Sequence, residues 1–258
     1  MFLFTLSKLR GRQAVLLAGT VLVMLLAPRS AAAMHIMEGF LPWGWSLFWT
    51  GVSLPFVLLG FRSLNRLLHT HPNYKMLLGL AAAFVFVISA LKMPSVTGSC
   101  SHPTGVGLGT ILFGPLAMTV LSSIVLIFQA LLLAHGGITT LGANIFSMGI
   151  AGPLAAFVVF MLGQKAALPR SLSIFLAVFM ASMVTYLATS MQLALAFPME
   201  TGGVIASFVK FAAIFAVTQI PLAVGEGILT LIIFNVLYSY NNRELAALLK
   251  IKNEVQTQ

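Results

Sequence analysis

Between residues 43 and 240 the chain consists almost entirely of apolar runs, at about 43–61, 74–92, 105–118, 116–134, 138–162, 172–196 and 203–240. A helix needs roughly 20 residues to cross a bilayer core. Lipid offers no partner to a bare peptide group, so runs of this kind must satisfy their own backbone as helices. Only 7% of the 258 residues are charged and 59% are hydrophobic, whereas about a quarter of a soluble domain is charged. The expected class is all-α and polytopic, with no linker long enough to separate domains.

Residues 1–33 read differently. Lys8, Arg10 and Arg12 precede a short apolar run from Ala14 to Ala27, and the small residues Ala31-Ala32-Ala33 follow. A positive start, a short apolar middle and an A-x-A end describe a cleavable signal peptide. A retained anchor is the competing reading, and translation starting at Met34 is a third. Cleavage after Ala33 and initiation at Met34 give the same product, a single membrane domain of residues 34–258 beginning Met34-His35-Ile36-Met37-Glu38-Gly39.

The third run is short and glycine-rich and meets the fourth at Gly114-Pro115, where a tight turn or broken helix is expected. Whether it counts as a crossing decides the side of everything after it. Counting seven crossings from an outer amino terminus puts Arg62, Arg66, Lys75, Lys165, Arg170, Arg243, Lys250 and Lys252 inside, as the positive-inside rule favours. His35, Glu38, His102, His135 and Glu200 then share the outer side. The formal charge of +9 thus records membrane insertion rather than a nucleic-acid surface. Four of the 14 basic residues belong to the leader.

The strongest chemical feature is Met34-His35 at a new amino terminus. A free amine, the next amide nitrogen and the imidazole of a second-position histidine close fused chelate rings around one metal, once the amide gives up its proton. A fourth nitrogen completes the tetragonal field that suits Ni(II) or Cu(II) and also holds low-spin Co(II). Such a site weakens at low pH, because every donor must be deprotonated. His102 is the best fourth ligand, in Ser99-Cys100-Ser101-His102-Pro103-Thr104-Gly105, an irregular segment of the sort that can line a cavity at membrane depth. A loop histidine capping a helix is the plainer alternative.

Other polar residues carry weaker signals. His135, before Gly136-Gly137, reads as a C-terminal helix cap or as part of a lid. Cys100 is a soft donor beside His102 or a small buried thiol. Glu38 and Glu200 are scarce acids on the outer side, suited to gating or to steering a cation, and Ser101 and Asn144 to orienting the ligands. Asn144 and Gln129 equally fit hydrogen bonds between helices. His69 and His71 fall near Arg62 and Arg66 as a solvated inner rim. Glu226, inside the last apolar run, needs a partner, for which Lys210 and Gln219 are the candidates. The methionines after Met34 read as packing residues.

A single cysteine excludes an intrachain disulfide. There is no G-x-x-x-x-G-K-[ST] loop, so ATP hydrolysis would fall to another subunit, and no H-E-x-x-H pair. A reading from another class, an intramembrane metal-dependent hydrolase, would bring His102 and Glu226 together around a metal-bound water.

Four segments, MHIMEGFLP at 34–42, GSCSHPTGVGLGTILFGP at 98–115, QALLLAHGGITTLGANIFSMGIAGP at 129–153 and KFAAIFAVTQIPLAVGEG at 210–227, closely resemble the CbiM/NikM family. These are the substrate-capture (S) components of energy-coupling-factor (ECF) transporters for cobalt and nickel. The resemblance implies a six-helix S-component core with one additional amino-terminal helix. It implies a metal site of Met34, His35 and His102, with Co(II) or Ni(II) bound as transported substrate and no cofactor. The implied partners are a transmembrane coupling (T) protein, cytosolic ABC-type ATPase subunits and a small CbiN-like auxiliary membrane protein. The implied setting is a prokaryotic cell membrane, and the implied destination of cobalt is cobalamin synthesis. Many relatives begin at the M-H-I-M-E-G motif, whereas 33 residues precede it here; the amine ligand exists only once they are gone.

Overall fold

The computed structural model describes residues 35–94 and 100–240. The leader at 1–33, Met34 and the basic tail with Arg243, Lys250 and Lys252 lie outside the described residues. Among the described residues there are seven helices: α1 (Trp43–Thr70), α2 (Lys75–Ala90), α3 (Val106–Phe113), α4 (Pro115–Leu133), α5 (Leu141–Lys165), α6 (Arg170–Ala196) and α7 (Gly203–Tyr240). A two-residue antiparallel ladder, β1 (Met93–Pro94) with β2 (Cys100–Ser101), closes the base of the α2–α3 connection.

Proline and glycine punctuate the helices. Pro42 and Pro169 immediately precede α1 and α6, and Pro72 opens a 3₁₀ turn, Pro72–Tyr74, between α1 and α2. Gly114, at φ +87°, ends α3, and Pro115 begins α4, combining a left-handed terminator with a residue preset for a first helical turn. α1 runs nine residues past its apolar run, because Arg62, Arg66 and their leucine neighbours are good helix formers once beyond the hydrocarbon.

Among the described residues six helices are long and apolar enough to cross a bilayer. The expected seventh crossing is α3, whose eight residues rise only about 12 Å. The composition of 105–118 hides this, since apolar residues continue through the Gly114-Pro115 turn. α3 nevertheless reverses the chain: the segments after α2 and after α4 both reach one end, where the rings of His102 and His135 lie 4.8 Å apart. The opposite end holds Arg62, Arg66, Lys75, Lys165 and Arg170, with the Arg170 guanidinium 5.0 Å above the Tyr238 ring.

All eight residues of α3 are buried, as befits a helix that is apolar on every side. It packs among α2, α4, α5 and α6 in one core that includes Val85, Val106, Ile111, Met118, Met148, Ile174 and Val178. Gly107 and Gly109 let it approach: a Cβ there would sit 2.6 Å from Val178 Cγ2 and 2.2 Å from Met118 Sδ. In lipid such close packing replaces the hydrophobic drive between helices, and buried polar pairs add to it. Gln129 makes the interhelical bond expected of it, donating from α4 to Ser89 Oγ at 2.7 Å and to Phe86 O at 3.2 Å on α2.

Inside α5 the residues Ile145–Ala151 form a π-helical turn. Pro153 has no N–H for the carbonyl of Gly149 and its ring crowds that carbonyl. The freed oxygen is satisfied from α4 instead, where Thr119 Oγ1 donates to Gly149 O at 2.8 Å.

Candidate metal centre

Three connections meet at the end of the bundle that carries the histidines. The first is the segment leading into α1. Ile36 N donates to Asn144 Oδ1 at 2.8 Å, and Ile36 O accepts from Thr140 Oγ1 at 2.6 Å and from Asn144 Nδ2 at 3.0 Å. Gly39 N donates to Thr139 Oγ1 at 3.0 Å, and the exposed Glu38 carboxylate accepts from the amides of Ile138 and Thr139. The Thr139 hydroxyl foremost, followed by these amides, holds the Glu38 carboxyl below its ordinary value of 4.5 against the opposing pull of partial burial. Gly137 makes this docking fit, because a Cβ there would lie 2.4 Å from Glu38 Cα.

The second connection carries His102. Ser101 Oγ pairs with Thr218 Oγ1 at 2.8 Å, and Gln219 Nε2 reaches His102 O at 3.4 Å. Glu226 accepts from Thr104 N at 2.8 Å, Thr104 Oγ1 at 2.7 Å and Gly105 N at 2.7 Å. The partner of Glu226 is therefore this loop rather than the expected Lys210 or Gln219; Gln219 instead donates to Ser182 Oγ at 2.8 Å. Gly105 turns at φ +73° with its missing Cβ 2.9 Å from Val85 Cα, so only glycine suits the start of α3. The third connection follows Ala134, left-handed at φ +46°, after which His135 N donates to Gln129 O at 3.1 Å.

These three strands of chain bring His35, His102 and His135 together. One ligand nitrogen from each lies within 4.8 Å of the others, and the rings are at most 3% exposed. His102 Nδ1 lies 2.9 Å from Pro103 O; a carbonyl only accepts, so Nδ1 carries the proton and Nε2 keeps its lone pair. His35 Nε2 faces Met148 Sδ at 3.1 Å. The outward nitrogens, His35 Nδ1, His102 Nε2 and His135 Nε2, are buried without a hydrogen-bond partner. Burial pushes His102 down to about 4 and His135 to about 3, and lowers His35 well below 6.5, with the neighbouring imidazoles adding to the drop for His35 and His135. Three neutral imidazoles with spare lone pairs in a buried pocket make a donor set for a borderline transition-metal ion.

The other sequence candidates take different places. Asn144 clamps the Ile36 backbone, and Ser101 ties the His102 loop to α7. Cys100 is half-buried in β2, outside the converging trio. Glu200 is exposed in the turn between α6 and α7, also outside it. His135 does not cap α4 with its ring; its ring turns into the pocket. The hydrolase arrangement is not formed either, since both Glu226 oxygens serve Thr104 and Gly105. Met148 was invisible as a site residue in the sequence, because nothing local distinguishes it from a packing methionine; the π-helical turn aims it at His35.

A family model described as the cobalt uptake substrate-specific transmembrane region matches residues 35–244. The cobalt transport protein CbiM of Nostoc sp. strain PCC 7120 is 60% identical over 235 residues, which cover 91% of this chain and 90% of that one. The protein of the same name from Acetoanaerobium sticklandii is 61% identical over 218 residues, covering 84% and 90%. A crystal structure of a truncated transition metal transporter superposes with a TM-score of 0.70 at 24% identity, covering 80% of this chain and 99% of that one, which establishes a shared fold. With residues 35–244 matched by the family model and most of the chain by these relatives, the chain belongs to the CbiM family.

Proposed function

We propose that the chain is the S component of an ATP-driven ECF transporter and captures Co(II) at the outer face of a prokaryotic cell membrane, supplying cobalamin synthesis. The observation that carries this reading is the pocket of neutral, buried imidazoles whose outward nitrogens have no partner. With the leader removed, Met34 contributes its amine, His35 its amide nitrogen and Nδ1, and His102 its Nε2. The free nitrogen of His35 is the one such chelation needs, since Nδ1 closes a six-membered ring with the residue's own amide. Asn144, Ser101 and Glu38 hold the two ligand segments in register, and the basic end of the bundle faces the cytosol.

The chain itself performs no hydrolysis; a T protein and cytosolic ATPases drive reorientation, with a small auxiliary membrane protein assisting. The same nitrogens also serve Ni(II), and the names carried by the relatives favour cobalt. The test is metal titration of the purified mature protein beside the same protein with its Met34 amine acetylated. The mature chain is expected to bind one Co(II), and the acetylated chain to bind about 100-fold more weakly after losing the amine donor and the ring it closes. Equal binding by the two forms would sink the chelate.

A further inference from the structure

We infer that His135 supplies a fifth, axial nitrogen to the captured ion and thereby sets a preference for cobalt over nickel. This rests on the capture reading above and concerns a residue which that reading leaves unused. The rings of His35 and His102 are inclined by only 42° at 4.3 Å, whereas His135 stands across both, at 72° to His35 and 68° to His102. The His135 ring thus meets two mutually tilted rings edge-on, approaching from a different direction than either.

Its Nε2 is buried and has no partner, whereas a buried polar atom in a finished structure is normally bonded. The backbone behind it is held by Gly136, at φ +80° and close to Asn144, and by Gly137 against Glu38. The ring therefore sits on the same scaffold as His35.

The electron count gives such a donor its selectivity. Four in-plane nitrogens, one a deprotonated amide, make a strong tetragonal field. Ni(II), with eight d electrons, is then low-spin with its axial orbital filled, and a fifth donor is repelled. Low-spin Co(II), with seven, has one electron in that orbital and gains from a single axial lone pair.

Electron paramagnetic resonance of the Co(II)-loaded mature protein, prepared without oxygen, reads this directly. Coupling to one axial nitrogen is expected to split each cobalt hyperfine line into three, and into two when histidine is labelled with ¹⁵N. His135→Ala and the ring-preserving His135→Phe are each expected to lose the splitting and to weaken Co(II) about 10–100-fold more than Ni(II). Splitting that survives both substitutions, or equal losses for the two metals, overturns the inference. Bound Co(II) without axial nitrogen coupling in the unaltered protein overturns it alone, whereas no bound Co(II) at all strikes down the capture reading and this inference with it.

Discussion

Asn144 clamps the Ile36 backbone, accepting from Ile36 N and donating to Ile36 O, with a longer bond from Nδ2 to Thr140 Oγ1, so it fixes the backbone next to His35 without bonding to the histidine ring nitrogens. Asn144→Leu keeps the volume and removes both bonds, each worth about 1 kcal/mol net. A roughly 10-fold weaker Co(II) titration is expected, with helical content unchanged; unaltered affinity would mean the segment is positioned elsewhere. The imidazoles set the response to acid. Unfolded, they take up protons near 6.5, whereas in the fold His102 does so near 4 and His135 near 3. Below 6.5 the unfolded chain binds more protons, so stability falls as pH falls. Thermal unfolding of the metal-free protein should be flat above pH 7 and decline steadily from about 6.5, with Glu38 adding to the loss only below 4.5. His35 and His102 were legible because their segments carry distinctive residues. His135 was not, since the direction of its ring depends on the left-handed turn at Ala134, a conformation that alanine does not advertise.

The helices divide by how their ends are written. Gly114-Pro115 announced a break in advance, and the structure has it, but the length of α3 was hidden because burial on every side demands apolar residues whether or not a helix crosses the membrane. The π-helical turn in α5 was equally silent. Pro153 signals trouble for the carbonyl four residues earlier, but only the neighbouring α4 decides how it is met. Thr119→Val keeps the shape of the side chain and leaves Gly149 O without its 2.8 Å partner. Because an orphaned buried carbonyl costs about 1–3 kcal/mol, thermal unfolding in detergent is expected several degrees lower. Since the same turn carries Met148, the His35 ring should also lose order, seen as broadening of its NMR signal. A variant as stable as the parent would show that the π-helical turn does not need this bond.

At the scale of the whole molecule, the main group of Arg and Lys residues and the buried histidine trio lie at opposite ends, so a single orientation in the membrane fixes the role of each. In a Cys100→Ser background, Glu200→Cys should react with a membrane-impermeant maleimide in right-side-out vesicles, and Lys165→Cys only after permeabilisation; the reverse pattern would invert the proposed topology. The separation was readable because lipid admits one solution for an apolar run and the basic residues cluster at alternate ends of the runs, the ends that the positive-inside rule assigns to the cytosol. What the sequence did not disclose is how the first ligand segment is fastened. Among the described residues the hydrogen bonds of Ile36, Glu38 and Gly39 to other elements run to residues 138–144, while Ile36 and Leu41 sit in a buried cluster with Trp49, Met183 and Phe215 and the Phe40 ring meets Phe197. The segment therefore lifts away from Pro42 only by giving up both these bonds and its apolar burial. With six donors engaged at about 1 kcal/mol net apiece, the hydrogen bonds alone hold the lifted form to at most on the order of one part in ten thousand. An ion captured there as proposed would leave on the timescale of that rare opening rather than of its own bonds, so retention would become a kinetic property of the strap.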